Sequence, residues 1–383
     1  MNNQELLKRA RKFIEDPPYK NGDFAGKNWG HKWHSLCSYQ GKLKPAIAHF
    51  LITEFTEKGD IILDPLCGVG TIPFEACLNG RIGLGNDLSR LAYVVSYSKL
   101  YKPEKSDVYN LINDLKTYIE NEKNNIQNDI EMYGSWGFNG KLNEYYEAET
   151  FKEILCARRF FKLKFDSLMK DSAFCFVFSC YLHILHGNRP YALSRTSHPL
   201  TPYYPKGEFI YKDTIQHVID KVENTYKKAD FIEYRFGDCY NGDYLNIPNS
   251  IDGTVDAIIT SPPFANSIRF YINNWLRLWF AGWEPSDFKI ADNQFLDGRQ
   301  DKDFDIYLDF FDKCSQLLKD DGIIVLHLGK TKKVDMAYEL SKRLQNKFEI
   351  IFIGEENVDN IEHHGIKDKG GTFVHQFMFL RKQ

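Results

Sequence analysis

Apolar residues change spacing several times along this chain, and the spacings predict helices and strands in alternation. Helical spacing runs from Pro45 to Phe55, a segment predicted to form a helix packed on a core. A short apolar run then ends in a glycine-rich turn (IILDPLCGVGT), followed by a predicted helix (IPFEACLNG) and a predicted strand that closes with Asp87 (RIGLGND). Parallel pairing of two strands needs such a crossover, so this segment predicts a βαβ unit.

The same alternation returns after residue 236. The predicted strands are VDAIIT, GIIVLHLG, FEIIFIG and HQFMFLRK, and SIRFYINNWLRLWFAG and MAYELSKRLQNK are predicted helices. In between, from about residue 102 to 232, the pattern is long and helical. The chain is therefore predicted to be an α/β protein with a doubly wound, mostly parallel Rossmann-like sheet of about seven strands and a largely helical insertion. The predicted division is 1–100 and 233–383 for the sheet domain and 101–232 for the insertion.

Composition narrows the class of protein. Hydrophobic residues make up 43% and charged residues 26% of the chain, which is typical of globular proteins. No apolar run has the length of a membrane span, and the first residues lack an apolar signal segment. A net charge of −3 means that a nucleic-acid partner would need a local basic surface. Eight scattered cysteines without a Cys-x-x-Cys pair predict a reduced, cytoplasmic protein, and no metal is expected.

The turn from Asp64 to Thr71 is a candidate ligand site. Ligands of doubly wound sheets bind beyond the carboxyl ends of the strands, where this turn lies. Gly68 and Gly70 allow backbone amides to approach a ligand closely, and Asp87 could accept hydrogen bonds from a ribose diol. Asp64 would repel a pyrophosphate but suits a ligand with sulfonium and ammonium groups. The third glycine of a nicotinamide fingerprint is also missing, so S-adenosylmethionine is the predicted cofactor.

Ser261-Pro262-Pro263-Phe264, directly after the predicted strand VDAIIT, is the second candidate site. Two prolines fix the backbone and remove two amide donors, which leaves carbonyl oxygens and a hydroxyl to accept from an amine. An exocyclic base amine is a poor nucleophile because its lone pair is delocalised into the ring. Hydrogen bonds to the Ser261 side chain and the Pro262 carbonyl would push that nitrogen towards sp³ geometry. Phe264 would stack on a base extruded from the helix.

Both motifs resemble those of the DNA amino-methyltransferases. The first motif of that family reads like DP-F-CGSGT, and this chain has DPLCGVGT, with Leu66 replacing the aromatic residue. The SPPF segment matches (S/D/N)PP(Y/F/W), and the segment from His34 to Pro45 looks like the tenth motif, which closes the methionine pocket. The resemblance implies a set of cofactor-binding residues: Tyr39, Lys42, Pro45, Asp64, Pro65, Cys67, Gly68, Gly70, Thr71, Asp87, Leu88, Asp238 and Cys239. Asp243 is a rival to Asp238 for contact with the cofactor adenine.

The resemblance implies transfer of a methyl group from S-adenosylmethionine to the exocyclic N4 of a flipped cytosine in double-stranded DNA. Serine in the first position is typical of cytosine enzymes, whereas Asp or Asn is usual for adenine. Ser261, Pro262, Pro263 and Phe264 would then be catalytic, and a cognate restriction endonuclease is a candidate partner. The alternatives are adenine-N6 methylation, methylation of an RNA or tRNA base, and an inactive DNA-binding subunit. No cysteine follows a proline, which argues against methylation of cytosine C5.

By elimination, the insertion is predicted to recognise the DNA, since no further domain follows the last predicted strand. Two segments combine basic and aromatic residues: RRFFKLKF, and the loop 188–206. The predicted DNA contacts are Arg158, Arg159, Arg189, Arg195 and Lys206. For the first segment, the alternative is a helix with a buried phenylalanine face and a solvated basic face.

Overall fold

One mixed sheet forms the centre of the molecule. The computed structural model describes residues 1–26, 29–187, 192–196, 204–227, 237–266, 269–358 and 371–383. The strands of the sheet are β1 (Ile61–Asp64), β2 (Ile82–Asp87), β3 (Asp238–Asn241), β4 (Val255–Thr260), β5 (Leu318–Lys330), β6 (Phe348–Asn357) and β7 (Val374–Lys382).

The order of the strands is β3-β2-β1-β4-β5-β7-β6. Only β7 runs antiparallel to its neighbours, β5 and β6, and the remaining pairs are parallel. The chain moves outward from β1 to β3 and then returns to place β4 beside β1, so the order of the strands reverses between β1 and β4. Ligands of such sheets bind at this switch point. The predicted doubly wound, mostly parallel sheet of about seven strands is confirmed.

Helices cover both faces of the sheet. Those in the first part of the chain are α1 (Asn3–Glu15), α2 (Pro45–Phe55), α3 (Thr71–Leu78) and α4 (Arg90–Leu100). Between α4 and β3 the helices are α5 (Lys105–Glu122), α6 (Gln127–Gly134), α7 (Leu142–Tyr145), α8 (Ala148–Leu168), α9 (Ser172–Ile184) and α10 (Thr214–Lys227). The helices after β4 are α11 (Phe270–Asn273), α12 (Trp275–Phe280), α13 (Asp287–Gln294), α14 (Leu296–Gln300), α15 (Ile306–Leu317) and α16 (Met336–Ser341).

Two elements show where the apolar pattern does and does not define a helix. The bounds of α2 coincide with the predicted helix from Pro45 to Phe55, because proline at the first helical position and a buried apolar stripe support it. The single helix predicted over SIRFYINNWLRLWFAG is instead divided into α11 and α12. The division falls at Asn274, whose side-chain amide donates to the Phe270 carbonyl at 3.1 Å.

The insertion shares its core with the sheet domain. Helices α8 and α9 bury one apolar cluster together with α4 and α12, and Phe161 and Phe178 stack at 4.4 Å between ring centroids. Two further apolar clusters lie along the strands, one of them between the sheet and α1 and α2. Because α4 follows β2 directly, the insertion packs against the half of the sheet that contains β1, β2 and β3.

Candidate active site

The glycine turn after β1 is built for close approach of a ligand. Gly68 and Gly70 have φ of +51° and +68°, the left-handed region that favours glycine. A Cβ on Gly70 would lie 2.2 Å from Ser96 Oγ of α4, so the turn is also pressed against that helix. Beneath it, Cys67 Sγ lies 3.7 Å from Ser96 Oγ. The turn therefore presents backbone atoms, with no side chain at the two glycines, at the switch point of the sheet.

Two carboxylates lie beside this turn: Asp64 is the last residue of β1, and Asp87 is the last residue of the adjacent strand β2. Asp87 accepts hydrogen bonds from Gly68 N at 3.0 Å and Ser89 N at 2.9 Å, and Asp64 accepts from Leu66 N at 3.1 Å. Burial raises the pKa of Asp64 to about 7 and the pKa of Asp87 to about 6, and the two carboxylates repel each other. A cation bound between them would remove this penalty. A glycine cradle beside one buried and one partly buried carboxylate fits the sulfonium, ammonium and ribose groups of S-adenosylmethionine.

The segment predicted to close the methionine pocket lies over the turn. The Tyr39 hydroxyl is 3.5 Å from the position that a Cβ on Gly68 would occupy, and the Tyr39 ring lies 5.4 Å from that of Phe270. Lys42 Nζ donates to the His34 carbonyl at 2.8 Å, and Pro45 is the buried first residue of α2. Tyr39 thus faces the turn, whereas Lys42 and Pro45 hold the segment that carries it.

The remaining predicted cofactor residues lie at different depths. Pro65, Thr71 and Cys239 are buried, and the Pro65 carbonyl accepts from Asn86 Nδ2 at 3.1 Å, whereas Leu88 is exposed. Asp238 is the first residue of β3 and pairs with Leu84, away from the carboxyl edge. Its carboxylate lies 3.4 Å from Lys170 Nζ.

The rival residue Asp243 follows the carboxyl end of β3. The strand pairs Asn241 with Asp87, and the next residue, Gly242, donates its N–H to the Asp87 carbonyl at 3.0 Å. The Asp243 carboxylate accepts from Leu245 N at 3.0 Å. The register therefore brings Asp243, and not Asp238, to the edge at which Asp87 ends. This position favours Asp243, and the choice between the two residues stays a prediction.

The Ser-Pro-Pro-Phe segment leaves the sheet at the end of β4, next to the glycine turn. Gln300 Nε2 donates to the Pro263 carbonyl at 2.8 Å, and Gln300 in turn accepts from the Tyr307 hydroxyl at 2.8 Å. Phe264 packs on Gly329 of β5, where a Cβ would lie 2.6 Å from the ring. Buried neighbours thus fix the segment on both sides, and its backbone does not depend on the two prolines alone.

His327 is a site residue that the sequence pattern did not reveal. It lies on β5, is 4% exposed, and its Nδ1 is 3.0 Å from Ser261 Oγ. The Phe264 and His375 rings pack against it at 5.3 and 4.8 Å. A histidine within an apolar strand gives no local indication of function, since only the pairing of β4 with β5 brings it to Ser261.

Arg158 is not available to DNA, which corrects its predicted role. It is 4% exposed and donates to the carbonyls of Trp279 (2.8 Å) and Trp283 (2.9 Å), to the Tyr133 hydroxyl (3.0 Å) and to Glu284 (2.9 Å). These hydrogen bonds tie α8 to the chain around α12. The phenylalanines of the same segment, Phe160, Phe161 and Phe165, are buried, as the alternative of a helix with a buried phenylalanine face expects. Arg158 departs from that alternative, because it does not lie on a solvated basic face.

Of the other predicted DNA contacts, Arg159 and Arg195 bind groups within the protein, and Lys206 is exposed. Arg159 forms ion pairs with Glu122 at 3.3 Å and Asp129 at 2.8 Å. Arg195 donates to the carbonyls of Glu144, Gly207 and Pro205 at 2.7–3.0 Å. These hydrogen bonds connect separate segments of the insertion, which corrects the predicted role of Arg195. Lys206 is exposed and stays a prediction. Arg189 lies outside the described residues.

A metal site and a membrane-spanning helix are two features for which the described residues give direct evidence. Within these residues, no group of three or more His, Cys, Asp or Glu side chains is arranged to hold a metal ion. Among the described residues, no helix is both long enough and apolar enough to cross a bilayer.

Comparison with known proteins agrees with this site. Residues 32–135, which carry the Tyr39 segment, the glycine turn and Asp87, match the family model "UPF0020: RMKL-like, methyltransferase domain". A curated relative, the type II methyltransferase M.BsoBI of Geobacillus stearothermophilus, is 23% identical over 272 residues, which cover 65% of this chain. The matched region spans about half, 52%, of that relative's length.

Two solved structures also match over most of their length. A TehB-like SAM-dependent methyltransferase from Corynebacterium glutamicum covers 100% of this chain and 98% of its own, at 10% identity and a TM-score of 0.30. The rRNA methyltransferase aviRa from Streptomyces viridochromogenes covers 94% and 93%, at 9% identity and a TM-score of 0.34.

The class of protein follows from the fold, the site and the matched domain together. The chain has a seven-stranded Rossmann-like sheet, a glycine turn with two carboxylates at its switch point, and a methyltransferase domain match that covers this turn. These features are those of a methyltransferase domain, and S-adenosylmethionine is the cofactor that they imply.

Proposed function

We propose that this methyltransferase modifies the exocyclic amino group of a base in double-stranded DNA, and that the base is cytosine, methylated at N4. The observation that carries the proposal is the adjacency of two strand ends. Ser261-Pro262-Pro263-Phe264 follows β4, and β4 pairs with β1, whose end carries the glycine turn. A base amine bound at the Ser-Pro-Pro-Phe segment would therefore face a methyl donor bound at the glycine turn. The curated relative named as a type II methyltransferase supports methyl transfer, and the choice of DNA rests on the resemblance of both motifs to those of the DNA amino-methyltransferases.

The hydrogen-bond acceptors of the motif suit an amine rather than a carbon atom. Gln300 occupies the Pro263 carbonyl, so the Pro262 carbonyl and Ser261 Oγ are the acceptors proposed for the two amine protons. Both hydrogen bonds strengthen as the nitrogen becomes tetrahedral, and such interactions lower the barrier. Phe264, held on Gly329, would stack on the flipped base. Serine in the first position, where enzymes that act on adenine usually carry Asp or Asn, favours cytosine over adenine.

The cofactor side is assigned to residues around the glycine turn. When bound, S-adenosylmethionine supplies an electrophilic methyl group on a sulfonium. In the proposal Asp64 and the backbone of Gly68 and Gly70 hold the methionine part, Asp87 accepts from the ribose hydroxyls, and Tyr39 closes the pocket. Asp243 replaces Asp238 as the acidic residue near the adenine, because it follows the strand that ends beside Asp87.

The cellular context is part of the same proposal. A DNA amino-methyltransferase of this kind would modify a specific site in the cytoplasm, with base flipping during catalysis and a cognate restriction endonuclease as its partner. Because Arg158 and Arg195 are committed to packing, we propose that sequence recognition uses other residues. Lys206 is one exposed candidate in the insertion.

The proposal is tested by methyl transfer from labelled cofactor to duplex DNA, followed by digestion to nucleosides and identification of the methylated base. We expect N4-methylcytosine. N6-methyladenine would keep the chemistry and overturn the choice of base, whereas label in RNA and none in DNA would overturn the choice of substrate. A duplex in which all cytosines carry N4-methyl groups beforehand is the matched control, and it should accept no label.

We predict that cofactor affinity weakens as the pH is lowered from 8 to 5.5. The ionised forms of Asp64 and Asp87 bind the cofactor, and their pKa values are raised to about 7 and about 6, so each carboxylate is protonated within this range. A fall of about tenfold or more in affinity is expected, since one pKa unit corresponds to about 1.4 kcal/mol. Isothermal titration calorimetry measures it. Asp64→Asn should bind more weakly at pH 8 and respond less to pH, and a pH-independent Kd of the unchanged protein would contradict the assignment.

A further inference from the structure

A buried histidine stands directly behind the proposed amine acceptor. Ile259 of β4 pairs with Val325 of β5, so Ser261 and His327, each two residues further on, lie side by side on one face of the sheet. Ser261 Oγ and His327 Nδ1 are 3.0 Å apart, which is a hydrogen-bond distance. The serine is part of the proposed catalytic motif, but the histidine belongs to neither of the two motifs.

We infer that His327 is a positioning residue and proton acceptor that acts through Ser261. It would fix the Ser261 hydroxyl, leave the serine lone pairs for the target amine, and receive the proton that the amine loses on methylation. This inference rests on the proposed function, because it needs an amine as the methyl acceptor.

The surroundings of His327 favour the neutral ring that such an acceptor requires. The side chain is 4% exposed, and its neighbours are the rings of Phe264, His375 of β7 and Phe377 of β7, at 4.8–5.3 Å. Burial, and then the charge of His375, hold the pKa of His327 well below its ordinary value. Within the described residues, His375 of β7 is the titratable side chain whose charge acts on this ring, at 4.8 Å between ring centroids.

The second ring nitrogen of His327, Nε2, also supports a hydrogen bond from the Ser261 hydroxyl to Nδ1. Nε2 of His327 is buried and has no hydrogen-bond partner among the described residues, and such a group costs about 1–3 kcal/mol. If the Ser261 hydroxyl donates to Nδ1, the proton of the neutral ring lies on Nε2. A buried polar group kept at this cost beside the proposed catalytic serine is better explained by function than by packing.

The proposed steps balance in atoms and charge. The amine lone pair forms the bond to the methyl carbon while the carbon–sulfur bond breaks and its electrons stay on sulfur. The nitrogen then passes one proton to Ser261 Oγ, and the serine hydroxyl passes its own proton to His327 Nδ1. The products are the methylated amine, the neutral thioether and an imidazolium, so the positive charge moves from sulfonium to histidine. Solvent takes the proton after product release.

The test replaces His327 by asparagine, whose side-chain amide can still accept from Ser261 but is far too weak a base to take a proton. Single-turnover methyl transfer at saturating cofactor should slow about 10²-fold, which is within the range of general-base contributions, with KM for DNA and Kd for the cofactor unchanged. The unchanged protein should lose rate as the pH falls through the pKa of His327, and His327→Asn should lack this acidic decline. His217→Asn, on α10 of the insertion, is the matched control and should behave as the unchanged protein.

A measurement on the unchanged protein does not depend on whether the variant folds. With ¹⁵N-labelled histidine, the spectrum should show His327 Nδ1 as an unprotonated acceptor and Nε2 as protonated, and Ser261→Ala should shift the Nδ1 signal. A proton on Nδ1, or a His327→Asn protein with full rate and an intact acidic decline, overturns the relay while the proposed function stands. Absence of label in any nucleic acid with the unchanged protein overturns the proposed function and the relay together.

Discussion

Ser261→Ala is expected to slow methyl transfer by about 10²–10³-fold without weakening the cofactor. The serine oxygen lies at the end of β4, 3.0 Å from His327 Nδ1, and the glycine turn that would hold the cofactor belongs to β1. Removing one acceptor that works mainly in the transition state typically costs this much in kcat. The single-turnover rate on the DNA labelled in the assay above measures the loss, and calorimetry measures the cofactor Kd.

Two further variants separate a chemical effect from a structural one. Ser261→Thr keeps a hydroxyl at the same position and should retain more activity than Ser261→Ala. Ser286→Ala removes an exposed hydroxyl ahead of α13 and should leave both quantities unchanged. A Ser261→Ala protein with the full rate would rule out the serine as an acceptor of the target amine.

Arg158→Ala is expected to lower the free energy of unfolding by about 2–3 kcal/mol, because it removes a buried guanidinium that donates to two carbonyls, a hydroxyl and a partly exposed carboxylate. The arginine is 4% exposed and joins α8 to Trp279, Trp283 and Glu284 near α12. Its loss would remove the Arg158 donor from the Trp283 carbonyl, whereas Glu284 would keep Lys162 and Tyr133 as donors and the Trp279 carbonyl would keep Gly282 N. Urea unfolding followed by circular dichroism measures the change.

The adjacent Arg159→Ala is the matched control. Arg159 pairs with Glu122 and Asp129 near the surface, with 31% of its side chain exposed, so its loss should cost about 1 kcal/mol or less. At a temperature where both proteins are folded, neither should change DNA affinity. If Arg158→Ala is as stable as the unchanged protein but binds DNA more weakly, the structural role given to Arg158 is wrong.

The candidate site was predictable where its signals are local. The glycines of DPLCGVGT need positive φ, the acidic residue before them restricts the ligand, and Pro-Pro after an apolar run fixes a strand end. All of these features lie within a few neighbouring residues, so the sequence alone could indicate both halves of the site. It could also indicate that the halves meet, because carboxyl ends of parallel strands share one edge of a sheet.

The partners of these motifs were not predictable in the same way. Gln300 and His327 lie 37 and 66 residues from the groups they contact, on elements whose own patterns are ordinary. The role of Asp243 rather than Asp238 depends on the register of β3 with β2. A strand as short and polar as β3 (DCYN) has no alternation of apolar residues, and only its neighbour β2 defines it.

In the insertion, the sequence predicted a role that the tertiary structure does not support. Its basic and aromatic residues lie together in sequence, and that composition predicts a nucleic-acid surface. In the folded chain Arg158 and Arg195 instead donate to carbonyl groups that the sequence cannot show to be near them. The sequence by itself determined the class of fold and indicated the glycine turn and the Ser-Pro-Pro-Phe motif of the candidate site, because these depend on backbone conformation and short-range spacing. The tertiary structure alone decided which charges are already paired and which histidine lies behind Ser261, because long-range packing determines both.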